Sequence, residues 1–404
     1  MERVLLLLPT TTYRTQAFLD AARRLGVQVV CASEQPSTFE TLAPDGLLTL
    51  DFHDLDAAGD QVRRVAIRRP IHAVVGVDDL TSVAAAAIAD RLGLPANPVA
   101  AVAATRNKRI MREQLGKAGV PIPRFQSVDL AGDLDLAARR AEYPCVLKPL
   151  SLSASRGVIR ADTPGEFVMA ARRIEGILRQ AGDPSQELLA EEFLTGFEVA
   201  LEGLLIRGSL EVLALFDKPD PLDGPFFEET IYVTPSRLPP VVQEQISAVT
   251  ARATTALGLR DGPIHAELRV NEGGPWVLEV AARSIGGLCS RVLRFGPGIM
   301  LEELILSHAL GRPLSAIERD RRPAGVMMIP IPRPGRLRGV EGQAAARSVS
   351  FVEDVVVSAH LNQELVPLPE GWQYLGFIFA RADTPAAVED ALREAHRRLH
   401  FEID

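Results

Sequence analysis

The first 95 residues alternate short apolar runs with amphipathic segments, and this alternation restricts the fold more than any other feature. Strands are predicted at residues 3–8, 27–31, 47–50 and 71–77, and helices at residues 15–25, 57–68 and 80–92. Such a βαβ series builds an open parallel sheet. The first strand-to-helix turn reads PTTTYR and lacks the G-x-G-x-x-G pattern, so no dinucleotide site is predicted there.

Composition and charge indicate a globular protein that acts on small molecules. A length of 404 residues favours two to three domains, and a hydrophobic content of 47% is enough for real cores. The net charge is −8 and both signs are mixed along the chain, so neither nucleic acid nor a membrane surface is an expected partner. No apolar run approaches the ~18 residues of a membrane span. The run in MERVLLLL stops at Pro9, too early for a signal peptide.

The three cysteines are far apart in the sequence. Cys31, Cys145 and Cys289 lie in apolar surroundings and have no metal-ligand spacing. They indicate buried thiols in a reducing compartment, and we therefore expect a cytoplasmic protein.

Two glutamates stand on two short apolar strands joined by the turn at residues 271–275. Glu267 lies in HAELRV and Glu279 in VLEVAAR. If the strands pair, period-two alternation separates their faces. One face carries Ile264, Ala266, Leu268 and Val270, and the other carries His265, Glu267 and Arg269.

Beyond the second strand come Arg283 and the pair Gly286-Gly287, which opens a predicted helix. Two carboxylates, a guanidinium and backbone amides suit Mg2+ and phosphate, because hard cations prefer oxygen ligands and anions prefer amide donors. On these residues alone, the alternative is the solvated face of an ordinary hairpin.

Lysine is rare: the chain has four lysines among its 44 basic residues. Lys148 lies in the apolar strand CVLKPL, just before the small-residue loop 151–157. Burying an ammonium group is costly without an anionic partner, which favours a phosphate. Lys108, at the head of the Asn107-Lys108-Arg109 segment within a helix predicted from about residue 99, is a second candidate, with a solvated helix charge as the alternative.

The segment EEFLTGFEVALEG joins two predicted strands and carries acidic side chains at the crossing. An acidic side chain with free backbone groups at such a crossing is suited to an adenine edge, and Glu198 to ribose hydroxyls. The alternative is a hairpin with exposed acids.

In this order, these elements resemble the ATP-grasp superfamily, and the resemblance covers roughly residues 1–315. It implies an ATP-grasp fold of α/β and α+β type. The implied domains are an N-terminal open parallel α/β (pre-ATP-grasp) domain at 1–95, an ATP-grasp domain at 96–315 with a lid at about 120–195, and a small α+β C-terminal domain at 316–404.

The resemblance also implies roles for individual residues. The ATP-binding residues would be Lys108 and Lys148 on the phosphates, Ser151, Ser153, Ser155 and Gly157 covering them, Glu191, Phe193 and Leu194 at adenine, and Glu198 at ribose. Glu267 and Glu279 would carry two Mg2+ ions, with Mn2+ as an alternative. Arg283 would act with Lys148 on the transferring phosphoryl group.

The chain departs from the superfamily at one central position. Where the pattern E-x-N-x-R supplies a further oxygen ligand, this chain has Glu279-Val280-Ala281-Ala282-Arg283. Ala281 offers no side-chain ligand, although a water molecule can replace one on Mg2+. A catalytically weakened nucleotide-binding protein is therefore one alternative function.

The C-terminal segment 335–404 and the segment ARSIGGLCSRVLRF resemble L-amino acid ligases, which are ATP-grasp carboxylate–amine ligases. The implied reaction joins a small carboxylate substrate to an amine through an acyl phosphate. Gly286 and Gly287 would approach that phosphate, and Glu229 would pair with a substrate ammonium. His265 would touch substrate or, as we favour, be a satisfied neighbour of Glu267. A homodimer is expected, and a purine-pathway ligase of the glycinamide ribonucleotide type is the second alternative.

Overall fold

The computed structural model describes residues 1–37, 40, 43, 45–314 and 317–404. The N-terminal elements are β1 (Arg3–Leu7), α1 (Thr15–Leu25), β2 (Gln28–Ser33), β3 (Leu47–Thr49), α2 (Leu55–Arg68), β4 (Ala73–Gly76) and α3 (Asp79–Arg91). The strands lie in the order β3-β2-β1-β4 and all pair in parallel. The predicted open parallel sheet is thus confirmed. Central β1 is buried along its whole length, as expected for a strand covered on both faces.

The single helix predicted after residue 99 is two helices, α4 (Val99–Thr105) and α5 (Lys108–Lys117). Asn107 has extended backbone, and its side chain accepts a hydrogen bond from the Ile110 amide at 3.1 Å. An asparagine cap of this kind starts a new helix. Lys108 consequently lies in the first turn of α5.

The lid is an antiparallel sheet packed against two helices. Its elements are β5 (Phe125–Asp129), α6 (Leu134–Arg140), β6 (Cys145–Pro149), β7 (Ile159–Ala161), α7 (Pro164–Gln180) and β8 (Glu187–Glu192). The strand order is β5-β8-β6-β7. Apolar residues from both helices and all four strands form one core beneath this sheet.

An eight-stranded antiparallel sheet forms the centre of the molecule, in the order β13-β12-β9-β10-β11-β16-β20-β18. Its first part comprises β9 (Phe197–Ile206), β10 (Ser209–Lys218), β11 (Ile231–Thr234), α8 (Pro240–Ala256), β12 (Gly262–Asn271) and β13 (Gly274–Ala281). Next come a 3-10 helix (Cys289–Val292), β14 (Arg294–Phe295), β15 (Ile299–Met300) and α9 (Leu301–Ala309). The prediction of a helix beginning at Gly286-Gly287 was therefore wrong, because the four-residue 3-10 helix follows the glycine pair instead.

The C-terminal region completes the large sheet and adds a three-stranded one. Its elements are β16 (Ala324–Ile329), β17 (Gly335–Glu341), α10 (Gln343–Arg347), β18 (Val352–Val357), β19 (Glu364–Leu365), β20 (Gly376–Arg381), α11 (Pro385–Arg397) and β21 (His400–Ile403). The small sheet has the order β19-β17-β21.

The central sheet runs from the ATP-grasp region into the C-terminal region without a break. β11 pairs with β16, with Ile231 opposite Met327 and Thr234 opposite Ala324. The proline-containing segment 323–334 includes β16. The predicted division at 315/316 lies outside the described residues.

None of the helices in the described ranges is both long and apolar enough to cross a membrane.

Candidate active site

The hairpin of β12 and β13 forms as predicted and places its two glutamates face to face. Glu267 lies directly opposite Glu279 in the strand register, with a β-bulge immediately after Glu267. Ile264, Ala266 and Leu268 are 0% exposed in the core beneath the sheet. Side chains directly opposite each other share one face of an antiparallel pair. Both carboxylates therefore project from the face opposite the core.

That face borders a cavity of about 350 Å3 whose wall combines the N-terminal domain, the lid, the central sheet and the C-terminal region. Fifteen of the residues predicted for the site line it: Lys108, Lys148, Ser153, Ser155, Glu191, Phe193, Leu194, Glu198, Glu229, His265, Glu267, Glu279, Arg283, Gly286 and Gly287. Its volume lies within the range of small-molecule sites.

Ser151 and Gly157, the other two predicted residues, are not brought to the described wall. The Ser151 hydroxyl donates to Asp183, and the Gly157 amide donates to the Pro369 carbonyl at 2.9 Å. Between them, Ala154 and Ser155 have φ values of 55° and 54°. Such values are uncommon for residues other than glycine. The loop is thus held in a specific shape, with Ser153 and Ser155 toward the cavity.

Lys108 is 7% exposed in the first turn of α5. Its ammonium group donates to the Leu152 carbonyl at 2.7 Å and lies 3.8 Å from a Glu279 oxygen. Burial lowers the pKa of Lys108, and the nearby Glu279 carboxylate opposes this effect. The lysine therefore connects the β13 glutamate with the start of the lid loop.

Lys148 is held by a buried carboxylate. Its ammonium lies 2.6 Å from one Glu191 oxygen, and Arg112 Nε donates to the other at 2.6 Å. Burial alone would raise the pKa of Glu191, but Arg112 and Lys148 lower it to about 2. Because both oxygens are engaged, Glu191 is placed to hold Lys148 rather than to read adenine with its side chain.

Lys218 was not predicted as a site residue, yet it holds three carboxylates together. It is 4% exposed and contacts Glu198 at 2.9 Å, Glu267 at 3.2 Å, and Glu229. These three glutamates offer ligand atoms within 4.8 Å of one another, a group that Glu279 does not join among the described residues. Burial would lower the pKa of Lys218, but the three carboxylates raise it well above its ordinary value.

Glu198, predicted for ribose, is almost fully engaged by cations. One oxygen accepts from Lys218, and the other accepts from Arg269 at 3.0 and 3.2 Å. Arg269 also donates to the Leu194 carbonyl at 2.7 Å. This network ties the head of β9 to the segment between β8 and β9.

His265 lies between two carboxylates. One ring nitrogen contacts buried Glu202, and Nε2 is 3.2 Å from Glu267. Burial would lower the pKa of His265, but Glu202 raises it to about 9. Glu202 also accepts from the Ile285 amide at 3.0 Å. Both ring nitrogens of His265 are thus occupied by carboxylates. Glu202 was missed in the sequence analysis although it lies on the same strand face as Glu198.

Arg283 is held by an aspartate of the N-terminal domain. Its guanidinium donates to Asp79 at 2.8 Å, and Arg106 lies 3.3 Å from the same carboxylate. Burial would raise the pKa of Asp79, but these two arginines lower it far below its ordinary range. Asp79 follows β4 at the carboxyl end of a parallel sheet, where ligand sites collect. This position after a strand of the parallel sheet is the sequence feature that could have identified Asp79 as a site residue.

Comparison with known proteins supports one class. Residues 19–96 match an ATP-grasp N-terminal domain, 141–292 an ATP-grasp domain, and 327–404 an L-amino acid ligase C-terminal domain 2. Dapdiamide A synthase of Enterobacter agglomerans is 29% identical over 72% of this chain and 70% of its own. The crystal structure of an L-amino acid ligase from Bacillus licheniformis superposes with a TM-score of 0.82 at 27% identity, covering 100% of this chain and 99% of that one.

A phosphoribosylglycinamide synthetase from Anaerococcus prevotii also superposes, with a TM-score of 0.70 at 15% identity and complete coverage of both chains. At that identity the likeness shows the fold alone. The chain belongs to the ATP-grasp superfamily, and within it to the carboxylate–amine ligases, enzymes that form C–N bonds. It is similar to the L-amino acid ligases and carries their C-terminal domain.

Proposed function

We propose that the protein joins the carboxylate of one amino acid or dipeptide to the amine of another and converts ATP to ADP and phosphate. A carboxylate oxygen attacks the γ-phosphorus, and the bond from that phosphorus to the bridging oxygen of ADP breaks, which leaves an acyl phosphate. The amine nitrogen then attacks the carbonyl carbon. The bond from that carbon to the phosphate oxygen breaks, and the nitrogen loses a proton. Such transfers need positioning and charge neutralisation rather than a nucleophilic side chain.

The observation that carries this proposal is the opposed pair Glu267 and Glu279 in one cavity with Lys108 and Lys148. Carboxylate oxygens are the ligands that Mg2+ prefers, so this donor set fits the divalent ion that the superfamily uses. Glu267 and Glu279 would hold two Mg2+ ions, with Mn2+ as an alternative. The ions would neutralise phosphate charge when bound.

The remaining roles follow from placement. Lys108 and Lys148 would contact phosphate oxygens, with Ser153 and Ser155 above them. Arg283, fixed by Asp79, would meet the transferring phosphoryl group, and the glycine pair at 286–287 would let the acyl phosphate approach the backbone. Glu198 would border the ribose, and the backbone at Phe193 and Leu194 would border adenine.

The similarity to dapdiamide A synthase and to an L-amino acid ligase supports substrates of the amino acid type. The glycinamide ribonucleotide alternative needs further cations for a ribose phosphate. We therefore propose to measure phosphate release with pairs of amino acids and, in parallel, with phosphoribosyl amines. Release only with the latter would overturn the proposal. Calorimetric ATP binding with no ADP formed from any pair would favour the weakened nucleotide-binding protein suggested by Ala281.

Replacing Lys148 by alanine should raise the KM for ATP roughly tenfold or more, because a charge-assisted contact to phosphate is lost. Glu191 keeps its pairing with Arg112 in this variant, so the fold should persist. Initial rates measured over a range of ATP concentrations give the KM. The matched control is Lys117→Ala, since Lys117 is exposed at the end of α5. An unchanged KM in Lys148→Ala would remove Lys148 from the phosphate site.

A further inference from the structure

Aromatic residues with polar edges are concentrated in the active-site cavity. The chain has four tyrosines and two tryptophans, and three of the tyrosines and one tryptophan line this cavity: Tyr13, Tyr232, Tyr374 and Trp372. The fourth tyrosine, Tyr143, lies in the lid and donates to the Ala138 carbonyl at 2.7 Å. Aromatic residues are only 5% of the chain, so this grouping is not a reflection of composition.

These residues come from three separate parts of the chain. Tyr13 follows β1, Tyr232 lies on β11, and Trp372 and Tyr374 precede β20. Tyr13 packs edge-on against Phe377 at 5.4 Å between ring centroids, and Tyr374 lies 6.1 Å from the same ring. Aromatic rings packed in this way have fixed orientations. Tyr232 packs edge-on against Phe216 at 5.8 Å. We call Tyr13, Tyr232, Trp372 and Tyr374 the aromatic wall, and the packing of its three tyrosines is in place before any substrate binds.

Several other residues that line the cavity are small or apolar. Ile285, Cys289 and Met328 line the same cavity and are 2%, 1% and 4% exposed. Gly286 adds open space, because a side-chain carbon built there would meet nothing within 4 Å. A large apolar group can therefore occupy this part of the cavity and bury its surface.

Charge restricts the occupant further. Glu229 contacts Lys218, whose ammonium group lies 5.2 Å from the centre of the Tyr232 ring, so the Glu229 carboxylate lies beside the aromatic wall. Among the described residues that line the cavity, each arginine and lysine is already paired with a carboxylate: Arg14, Lys108, Lys148, Arg269 and Arg283. An acidic side chain placed against the aromatic wall would lose its hydration beside the Glu229 carboxylate, which is costly.

We infer that the aromatic wall is the side-chain subsite for one amino acid substrate and selects large apolar side chains, aromatic or thioether, while Glu229 pairs with the α-ammonium. This inference rests on the proposed ligase function and adds the substrate class to it. Aspartate and glutamate are disfavoured because their side-chain carboxylate would lie beside that of Glu229. Alanine and glycine leave the wall unfilled.

The test measures phosphate release by the full-length protein with ATP, Mg2+ and pairwise panels of amino acids. Phenylalanine or methionine should give kcat/KM values ~10- to 100-fold above alanine, since burying a large side chain contributes about that factor. A preference for alanine or for aspartate would overturn the inference while leaving the ligase function intact. Phosphate release with no pair at all would overturn the ligase function itself.

Variants then assign the preference to the wall. Tyr374→Ala should reduce the ratio of kcat/KM for phenylalanine to that for alanine about tenfold, whereas Tyr374→Phe should keep it. If melting curves show that Tyr374→Ala is unstable, Trp372→Ala serves as the second test and should reduce the same ratio of kcat/KM values. Tyr143→Phe, outside the cavity, is the control. An unchanged ratio in both alanine variants would overturn the assignment.

Discussion

Replacement of Glu279 by glutamine is expected to lower kcat about 10²- to 10³-fold, the usual cost of removing one group that stabilises transition-state charge. A neutral amide oxygen is a poorer ligand for Mg2+ than a carboxylate, and the substituted side chain keeps the same shape. The fold should survive, because the Glu279 side chain is 23% exposed and its ion pair with Lys108 is 3.8 Å long. Phosphate release at saturating ATP and amino acids measures the effect.

The matched control for this variant is Glu272→Gln. Glu272 lies in the turn of the same hairpin and is exposed, so its substitution should leave kcat unchanged. Melting temperatures of both variants separate loss of activity from loss of fold. Full activity in Glu279→Gln would show that Glu279 is not a metal ligand.

Replacement of Lys218 by methionine is expected to have the largest effect on stability, a loss of ~3–5 kcal/mol, as for other buried ion pairs that lose one partner. Methionine approximates the volume of the lysine stem but leaves Glu198, Glu229 and Glu267 buried without their shared cation. Chemical denaturation gives the free energy of unfolding. Mg2+ should restore part of the loss, because a divalent ion can take the place of the ammonium among three carboxylates.

Lys117→Met is the control for this variant, because Lys117 is exposed and far from these carboxylates in the sequence. A loss below about 1 kcal/mol in Lys218→Met, the scale of an exposed ion pair, would mean that the three carboxylates do not need the lysine.

Local pattern was sufficient to predict the hairpin of β12 and β13. Period-two alternation places Glu267 on the face opposite Ile264, Ala266 and Leu268, and the pairing of the two strands then brings Glu279 opposite it. The parallel N-terminal sheet was predictable because short, mainly apolar strands alternate there with amphipathic helical segments. Lys148 could be singled out because an ammonium group within an apolar strand needs an anionic partner.

The groups that hold these residues in place were not predictable from local pattern. Asp79 reaches Arg283 across 204 positions of sequence. Glu191 was predicted to read adenine, and only the packing of α5 against β8 shows that Arg112 and Lys148 engage it. The helix predicted after the glycine pair does not form, because the chain turns back after Val292 into β14. Such partners depend on how domains pack, which periodicity does not encode.

The ladder between β11 and β16 means that the C-terminal region is not a detachable module. A chain ending at residue 315 would leave β11 as an edge strand with unpaired backbone groups, a surface prone to association. It would also lose Trp372 and Tyr374 from the cavity. Engineers who exchange this region between relatives to obtain new specificities must therefore preserve the register of Ile231 with Met327, or the graft will not close the sheet.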